Sequence, residues 1–294
     1  MMSAIDTDLA TAAPPGLRRR PRRGFHQAAN DGDRMTGIGL AIAAGNADDH
    51  FVAALAHALA EPLITQGIGL FTRVVHDDAS EEGIYRHWAD SEGISGVALL
   101  GAGRNDARIP LLRSLGLPFA AVVDAGEAAD FPAVLIDVSA AVDIVRSFLE
   151  GGRHDRIVYI VGPTPSITSQ SRAAALAEQF AVVRTDRSAA SAVVAAAAVI
   201  ADGPAALLFD SDVHAAAALA AFAERGLRIP DDVSIVSWTD SSLCQSTSPS
   251  ITAINRRGSE IGALLGAQVL AAIRGDAVAT VDAPHPFVVV RESA

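Results

Sequence analysis

Lysine is missing from this chain: all 23 basic residues are arginine. Without a side-chain primary amine there is no Schiff-base lysine, no pyridoxal-phosphate anchor, no Walker A lysine and no ATP-anchoring kinase lysine. Cysteine is nearly missing as well. Cys244 stands alone, which excludes an intramolecular disulfide and a cysteine-rich zinc site and leaves nothing that points to an oxidising compartment. The longest apolar run, Ala192 to Ala201, is ten residues and falls well short of the roughly 20 that span a bilayer. The first 15 residues mix Asp6 and Asp8 into short apolar stretches, without the basic start and apolar core of a secretory signal. The expectation is a cytoplasmic protein with no membrane partner.

Half of the 294 residues are hydrophobic, enough for a large core, and the net charge is −11. That charge is unevenly spread. Residues 1–34 hold six arginines against four acids, a net +2, which leaves −13 on the remaining 260. Five of those arginines fall between Arg18 and Arg23, interrupted only by Pro21. Residues 1–34 have no apolar periodicity and read as a disordered basic tail or the remnant of a hinge. An acidic body disfavours nonspecific contact with nucleic acid, so the chain itself is expected to bind DNA weakly at most and with strong salt dependence.

From Met35 onward short β-type runs alternate with amphipathic helical runs. Strands are predicted over 38–43, 69–75, 97–100, 119–123, 134–136, 157–161, 205–209, 233–237 and 286–291. Helices are predicted over 49–66, 80–92, 107–115, 140–150, 169–180, 189–201, 213–225 and 257–273. Ser80 before Glu81 and Glu82 reads as an N-cap, and Gly67, Gly116 and Gly226 sit just past helix ends, where a left-handed residue closes the last turn. Alternation of this length predicts an α/β fold with two doubly wound parallel sheets and a ligand cleft at the C-terminal ends of their strands.

Enzyme signatures fail one by one. Gly37-Ile38-Gly39 lies inside a strand and lacks a third glycine, and Gly101-Ala102-Gly103 runs on into Arg104, Asn105 and Asp106, so neither is a dinucleotide fingerprint. There is no G-x-S-x-G elbow and no H-E-x-x-H. His50 and His57 share a helix but lack a carboxylate at metal-site spacing and read as surface or edge histidines. No metal and no cofactor is expected. Polar residues do recur directly after strands: Asn46, Asp48, Asp49 and His50; Asp124; Ser169 to Arg172; Asp210, Ser211 and Asp212; Thr239 and Asp240. Carboxylates with one guanidinium and few aromatics suit a small polyhydroxylated or carboxylated ligand better than an apolar one. Each of these residues has an equally good reading as a cap or turn former.

Five stretches in this order resemble the effector-binding core of the LacI/GalR family of bacterial transcription regulators. They are Ile157-Val-Tyr-Ile-Val-Gly-Pro163 with Ser171-Arg172, Leu207-Leu-Phe-Asp-Ser-Asp212, Glu224-Arg-Gly-Leu-Arg-Ile-Pro-Asp-Asp-Val-Ser-Ile-Val236, Ser248-Pro-Ser-Ile-Thr-Ala-Ile254 and the ending Val290-Arg-Glu-Ser293. The resemblance covers residues 36–294. It implies two subdomains of the type I periplasmic-binding-protein kind joined by three crossovers: 35–136 plus about 254–280, and 137–253 plus about 281–294. It also implies a sugar or related polar effector between them, and a homodimer. Carried over by position, Arg172 matches an effector-clamping arginine and Asp124 a cleft carboxylate or its neighbour. Ser211 stands where asparagine is common, Thr239 where the first of two aspartates is usual, and Asp240 is the second. Asp48 and His50 stand where asparagine and a stacking phenylalanine are common, with Phe51 next in line. The implied effector site is therefore Asp48, His50, Phe51, Asp124, Arg172, Ser211, Asp212, Thr239 and Asp240.

Regulators of this family begin with a DNA-reading helix-turn-helix headpiece and hinge of roughly 60 residues, and the 34 residues before this core show no two-helix pattern. Two readings stand: a truncated or misplaced gene start, or a sensor without its own DNA reader. Operator DNA is a partner only where a headpiece is supplied. A solute receptor for an importer and a hydrolase using Asp48, Asp124 or Asp240 are the competing function classes, and the first requires an export signal.

Overall fold

The computed structural model describes residues 37–47, 49–103, 105–125, 130–163, 167–186 and 188–294. The basic tail 1–34, with Arg18 to Arg23, and Asp48 lie outside them. Two six-stranded sheets carry the chain. The first holds β1 (Gly37–Ala43), β2 (Gly69–Val75), β3 (Ile94–Ala102), β4 (Phe119–Asp124), β5 (Ala133–Ile136) and β11 (Thr280–Asp282), in the order β11-β5-β4-β3-β1-β2 with all pairs parallel. The second holds β6 (Ile157–Val161), β7 (Ala181–Arg184), β8 (Ala205–Phe209), β9 (Val233–Ser237), β10 (Thr252–Asn255) and β12 (Phe287–Val289), in the order β12-β10-β9-β8-β6-β7. Only β12 runs antiparallel to its neighbour.

Helices cover both faces of each sheet, the arrangement that parallel strands buried on two sides require. On the first sheet, α1 (His50–Ile64) and α9 (Gly258–Arg274) bury Leu55, Leu59, Leu265 and Val269 against Ile38 and Leu40. The opposite face takes α2 (Asp78–Asp90) and α3 (Arg108–Leu115), through Tyr85, Trp88 and Leu112. On the second sheet, α4 (Val138–Glu150) and α5 (Ile167–Gln179) lie on one side, and α6 (Ala189–Ala201) and α7 (Asp212–Glu224) on the other. A short α8 (Ser242–Ser246) follows β9. The chain passes between the sheets three times: at Asp137, at Arg256–Arg257 and between Asp282 and Phe287. The expected α/β class, with two doubly wound subdomains and three crossovers, is what the structure has.

Several local details differ from expectation. Asp77, not Ser80, caps α2: the Asp77 carboxylate accepts the Ser80 N–H at 2.7 Å while the Ser80 hydroxyl accepts the Asp77 N–H at 3.1 Å. Ser80 is thus the returning half of a capping box. Strands β7, β10 and β11 and helix α8 were not anticipated. β7 and β11 are edge segments of four and three residues with half-exposed patterns, too short to show a period. Gly101-Ala102-Gly103 also finds its explanation here. Gly101 sits at φ +62 beside a register shift between β3 and β4, so the motif serves a backbone irregularity and not a phosphate.

That irregularity is pinned from behind. Arg108 Nη2 donates to the Leu100 and Gly101 carbonyls at 3.3 Å each and to Asp106 Oδ2 at 2.6 Å, while Nε engages Asp106 at 2.9–3.2 Å and Nη1 reaches Glu81 at 3.1 Å. Burial alone would raise the Asp106 carboxyl, but the hydrogen bonds and charge of Arg108 outweigh it and hold Asp106 below the ordinary carboxylate range. A depressed folded-state value contributes stability above the unfolded value, about 3.9, and loses it as pH falls further. Asp106→Asn is therefore expected to lower stability by about 2 kcal/mol at pH 7. The gap between variant and wild type should close below about pH 4, which chemical denaturation at several pH values would reveal.

Candidate functional site

Each sheet reverses its winding once, between β1 and β3 in the first and between β6 and β8 in the second. In open α/β sheets this is where adjacent loops diverge and a ligand crevice opens beyond the strand ends. The two switch points face one another across a cavity of about 350 Å³, near the lower end of the range for small-molecule sites, about 300–1,000 Å³. The first subdomain lines it with the turn after β1, the start of α1 and the end of β3, including Asn46, Asp49, Phe51 and Gly101. The second supplies Gly162 and Pro163 after β6, Asp210 to His214 after β8, and Arg172 from α5.

Of the residues expected at an effector site, Phe51, Arg172, Ser211, Asp212 and Thr239 line this cavity. His50 stands beside it, 43% exposed, with Nδ1 2.8 Å from the Asp212 Oδ2. That contact joins the first residue of α1 to the first residue of α7, one from each subdomain. The same Asp212 oxygen accepts the Ser241 hydroxyl at 2.6 Å. Asp124, at the end of β4, is not among the lining residues, and Asp48 lies outside the described residues.

Asp240 is held elsewhere. It borders a smaller cavity of about 180 Å³ and pairs with Arg291 Nη2 at 2.7 Å, both side chains nearly buried. The chain ending has a structural role in this packing. Arg291 also donates to the Ile251 carbonyl, Glu292 accepts from the Ser250 N–H and hydroxyl, and Ser293 bridges the Thr252 N–H to the Ile235 carbonyl. Removing one member of a largely buried ion pair strands the other. Arg291→Ala is accordingly expected to lower unfolding stability by about 3 kcal/mol while leaving ligand affinity within about twofold, as paired urea and binding titrations would show.

Arg256 is the residue that sequence reasoning missed. It is the first residue of the second crossover and so comes directly off the end of β10 into the cleft. Its guanidinium carbon lies 3.9 Å from the centroid of the Phe51 ring. Its Nη2 donates to the Thr239 hydroxyl at 3.0 Å and reaches Asp49 Oδ1 at a long 3.4 Å. Burial pushes Arg256 down to about 10, with the Asp49 charge opposing and the Arg172 charge adding to the fall, so it remains a cation at neutral pH. Arg172 lies over Trp238, 5.2 Å from the ring centroid. Beneath it, burial raises the Tyr159 phenol while the Arg172 charge opposes the rise. Four buried polar atoms around the cavity have no hydrogen-bond partner among the described residues: Arg172 Nε, Arg256 Nε, Tyr159 Oη and Asp210 Oδ1. Among the described residues no group of three or more His, Cys, Asp or Glu could hold a metal ion, and no helix is long and apolar enough to cross a membrane.

A family model described as a periplasmic binding protein-like domain matches residues 145–294. An uncharacterized HTH-type transcriptional regulator in the aml 5′ region of Streptomyces limosus is 28% identical over 185 residues, covering 57% of this chain and 53% of that protein. The chain thus spans about half the length of this curated relative. Among solved structures, a LacI family transcriptional regulator from Bifidobacterium animalis subsp. lactis is 27% identical with a TM-score of 0.78, covering 89% of this chain and 98% of the other. A transcriptional regulator CelR–cellobiose complex, 22% identical with a TM-score of 0.71 over 92% of this chain and 88% of its own, shares the fold.

Proposed function

The chain belongs to the periplasmic binding protein-like domain family, with the core of a LacI-family transcriptional regulator, and from that premise we propose that it is a ligand-gated transcriptional sensor. A small polar effector, a sugar or related metabolite, enters the cleft and is held by both subdomains at once. The carrying observation is that the cavity is lined by both switch points, so an effector there contacts the two subdomains together and favours their closed arrangement. The His50–Asp212 contact, which joins the rims of the two subdomains, supports this reading. A tenfold preference for one arrangement biases the equilibrium by about 1.4 kcal/mol, enough for partial switching. Coupling to DNA runs through a homodimer and an attached DNA-reading element. The exposed apolar side chains of Ile64, Phe71 and Val74, at the end of α1 and on the edge strand β2, support association. The chemistry is binding without turnover, as expected of a relative of regulators.

A metabolite panel followed by thermal denaturation tests the reading. An effector at 100 times its Kd stabilises the fold by about 2.7 kcal/mol, which raises the Tm of a chain this size by roughly 5–10 °C, and mass spectrometry should recover it chemically unchanged. A panel of sugars, sugar acids, sugar phosphates and nucleosides that leaves the Tm unmoved, or a compound recovered hydrolysed, sinks it.

A further inference from the structure

Three carboxylates, Asp49, Asp210 and Asp212, and two guanidinium groups, Arg172 and Arg256, line the cleft, and among these five only Asp49 and Arg256 come within ion-pair distance of one another. Arg172 has no carboxylate within ion-pair distance among the described residues, and its Nε is buried without an acceptor. Arg256 has one carboxylate, Asp49, at 3.4 Å, and Asp49 Oδ1 already accepts the Phe51 N–H at 2.9 Å as the cap of α1. The other carboxylates at the cavity are engaged elsewhere. Asp212 Oδ2 holds Ser241 and His50, and Asp210 Oδ2 accepts the Gly162 N–H at 2.9 Å. Asp210 Oδ1 lies 3.5 Å from His214 Nδ1, within ion-pair distance. A guanidinium carries five N–H donors that fit the paired oxygens of a carboxylate or phosphate. Desolvating such a cation without a close counter-ion is unfavourable, and a ligand anion would relieve that. Aromatic faces below both guanidinium groups, Trp238 under Arg172 and Phe51 under Arg256, fix their positions at the cleft.

We propose that the effector is anionic: a hydroxylated ligand of monosaccharide size whose carboxylate or phosphate lies between Arg172 and Arg256. This rests on the cleft reading above and narrows it to a charge class. Arg256 is its specificity-determining residue, because it alone separates an acid-reading cleft from one that needs Arg172 only to orient neutral hydroxyls.

Isothermal titration of the intact chain with glucose, cellobiose, gluconate, glucuronate and glucose 6-phosphate decides it. The expected result is that at least one acidic probe binds on the order of 10- to 100-fold more tightly than either neutral sugar. Arg256→Gln should abolish that margin, and Arg256→Lys, which keeps the charge, should restore part of it. Preference for glucose 6-phosphate over the two sugar acids identifies the phosphate source, and the reverse identifies the carboxylate. Neutral sugars binding as tightly as the acids, or an acid whose margin survives in Arg256→Gln, overturn the anionic class and leave the cleft reading standing. No binding by any of the five probes overturns the anionic class, and only an unmoved Tm across the wider panel, nucleosides included, overturns the cleft reading as well. Circular dichroism of each variant establishes that it is folded before its affinity is read.

Discussion

Gly262→Ala is expected to destabilise the folded chain by about 3 kcal/mol, opposite in sign to what helix propensity dictates. Within a helix, alanine is ordinarily about 1 kcal/mol better than glycine. Gly262, however, is where α9 meets α1 backbone to backbone. A Cβ there would stand 2.1 Å from the Leu55 carbonyl oxygen, 2.9 Å from its carbon and 3.0 Å from its Cα. None of those atoms can rotate aside. One turn on, a Cβ at Gly266 would meet the Leu59 oxygen at 2.7 Å and Pro62 Cγ at 2.6 Å, so the two helices touch along a strip of small residues and part only as rigid bodies. Parting them opens voids beside Leu55, Leu59 and Leu265, all buried, and voids add to the loss. Because α1 also carries Asp49 and Phe51 into the cleft, the variant should lose ligand affinity as well as stability. Gly83 supplies the control. It lies within α2 with nothing inside 4 Å of its virtual Cβ, and Gly83→Ala should gain up to about 1 kcal/mol. Denaturant curves in which both substitutions move the midpoint the same way would dismiss the close-approach argument.

Five elements were legible to the residue: Gly69–Val75, Ile157–Val161, Ala189–Ala201, Ala205–Phe209 and Val233–Ser237 coincide with the observed spans. Each is buried or flanked by strong stop signals, so local pattern and tertiary demand agree. The losses came where the deciding partner is distant in sequence. Asp240 follows a strand as a cleft carboxylate should, but Arg291, 51 residues away, claims it. Arg256 carries no local signal beyond standing in a pair of arginines, because its place in the cleft depends on where the second crossover threads between two sheets. What could have found it is the topology: the second crossover leaves the end of β10 beside the cleft, and a charged residue directly after the strand before a crossover is a candidate on that ground. The polar residues after β8 needed no such step. Asp210, Ser211 and Asp212 follow a fully buried strand at a winding reversal, and strand-end reasoning finds them.

Arg172→Leu is expected to weaken effector binding by about 3 kcal/mol, roughly 150-fold, and yet leave the ligand-free protein as stable as wild type or more so. The two halves have one cause. The Arg172 guanidinium rests against Trp238 with its Nε buried and without a hydrogen-bond partner among the described residues, so a ligand acceptor would gain what the fold does not use. Leucine fills much of the same volume above the indole and removes the desolvated charge. It also relieves Arg256, whose own charge is disfavoured by Arg172 nearby. A residue kept for packing behaves the other way, with truncation lowering stability and changing affinity little. Measuring both quantities on the same preparation separates the roles: thermal or urea midpoints without ligand, and affinity for the strongest binder of the probe panel. If Arg172→Leu binds that compound as tightly as wild type, Arg172 does not hold the effector. If instead affinity and apo stability fall together by similar free energies, the arginine is part of the scaffold and the unpaired Nε has a structural explanation. A rise in apo stability alongside a large loss of affinity is the signature of a site preorganised for a ligand at the expense of the free fold.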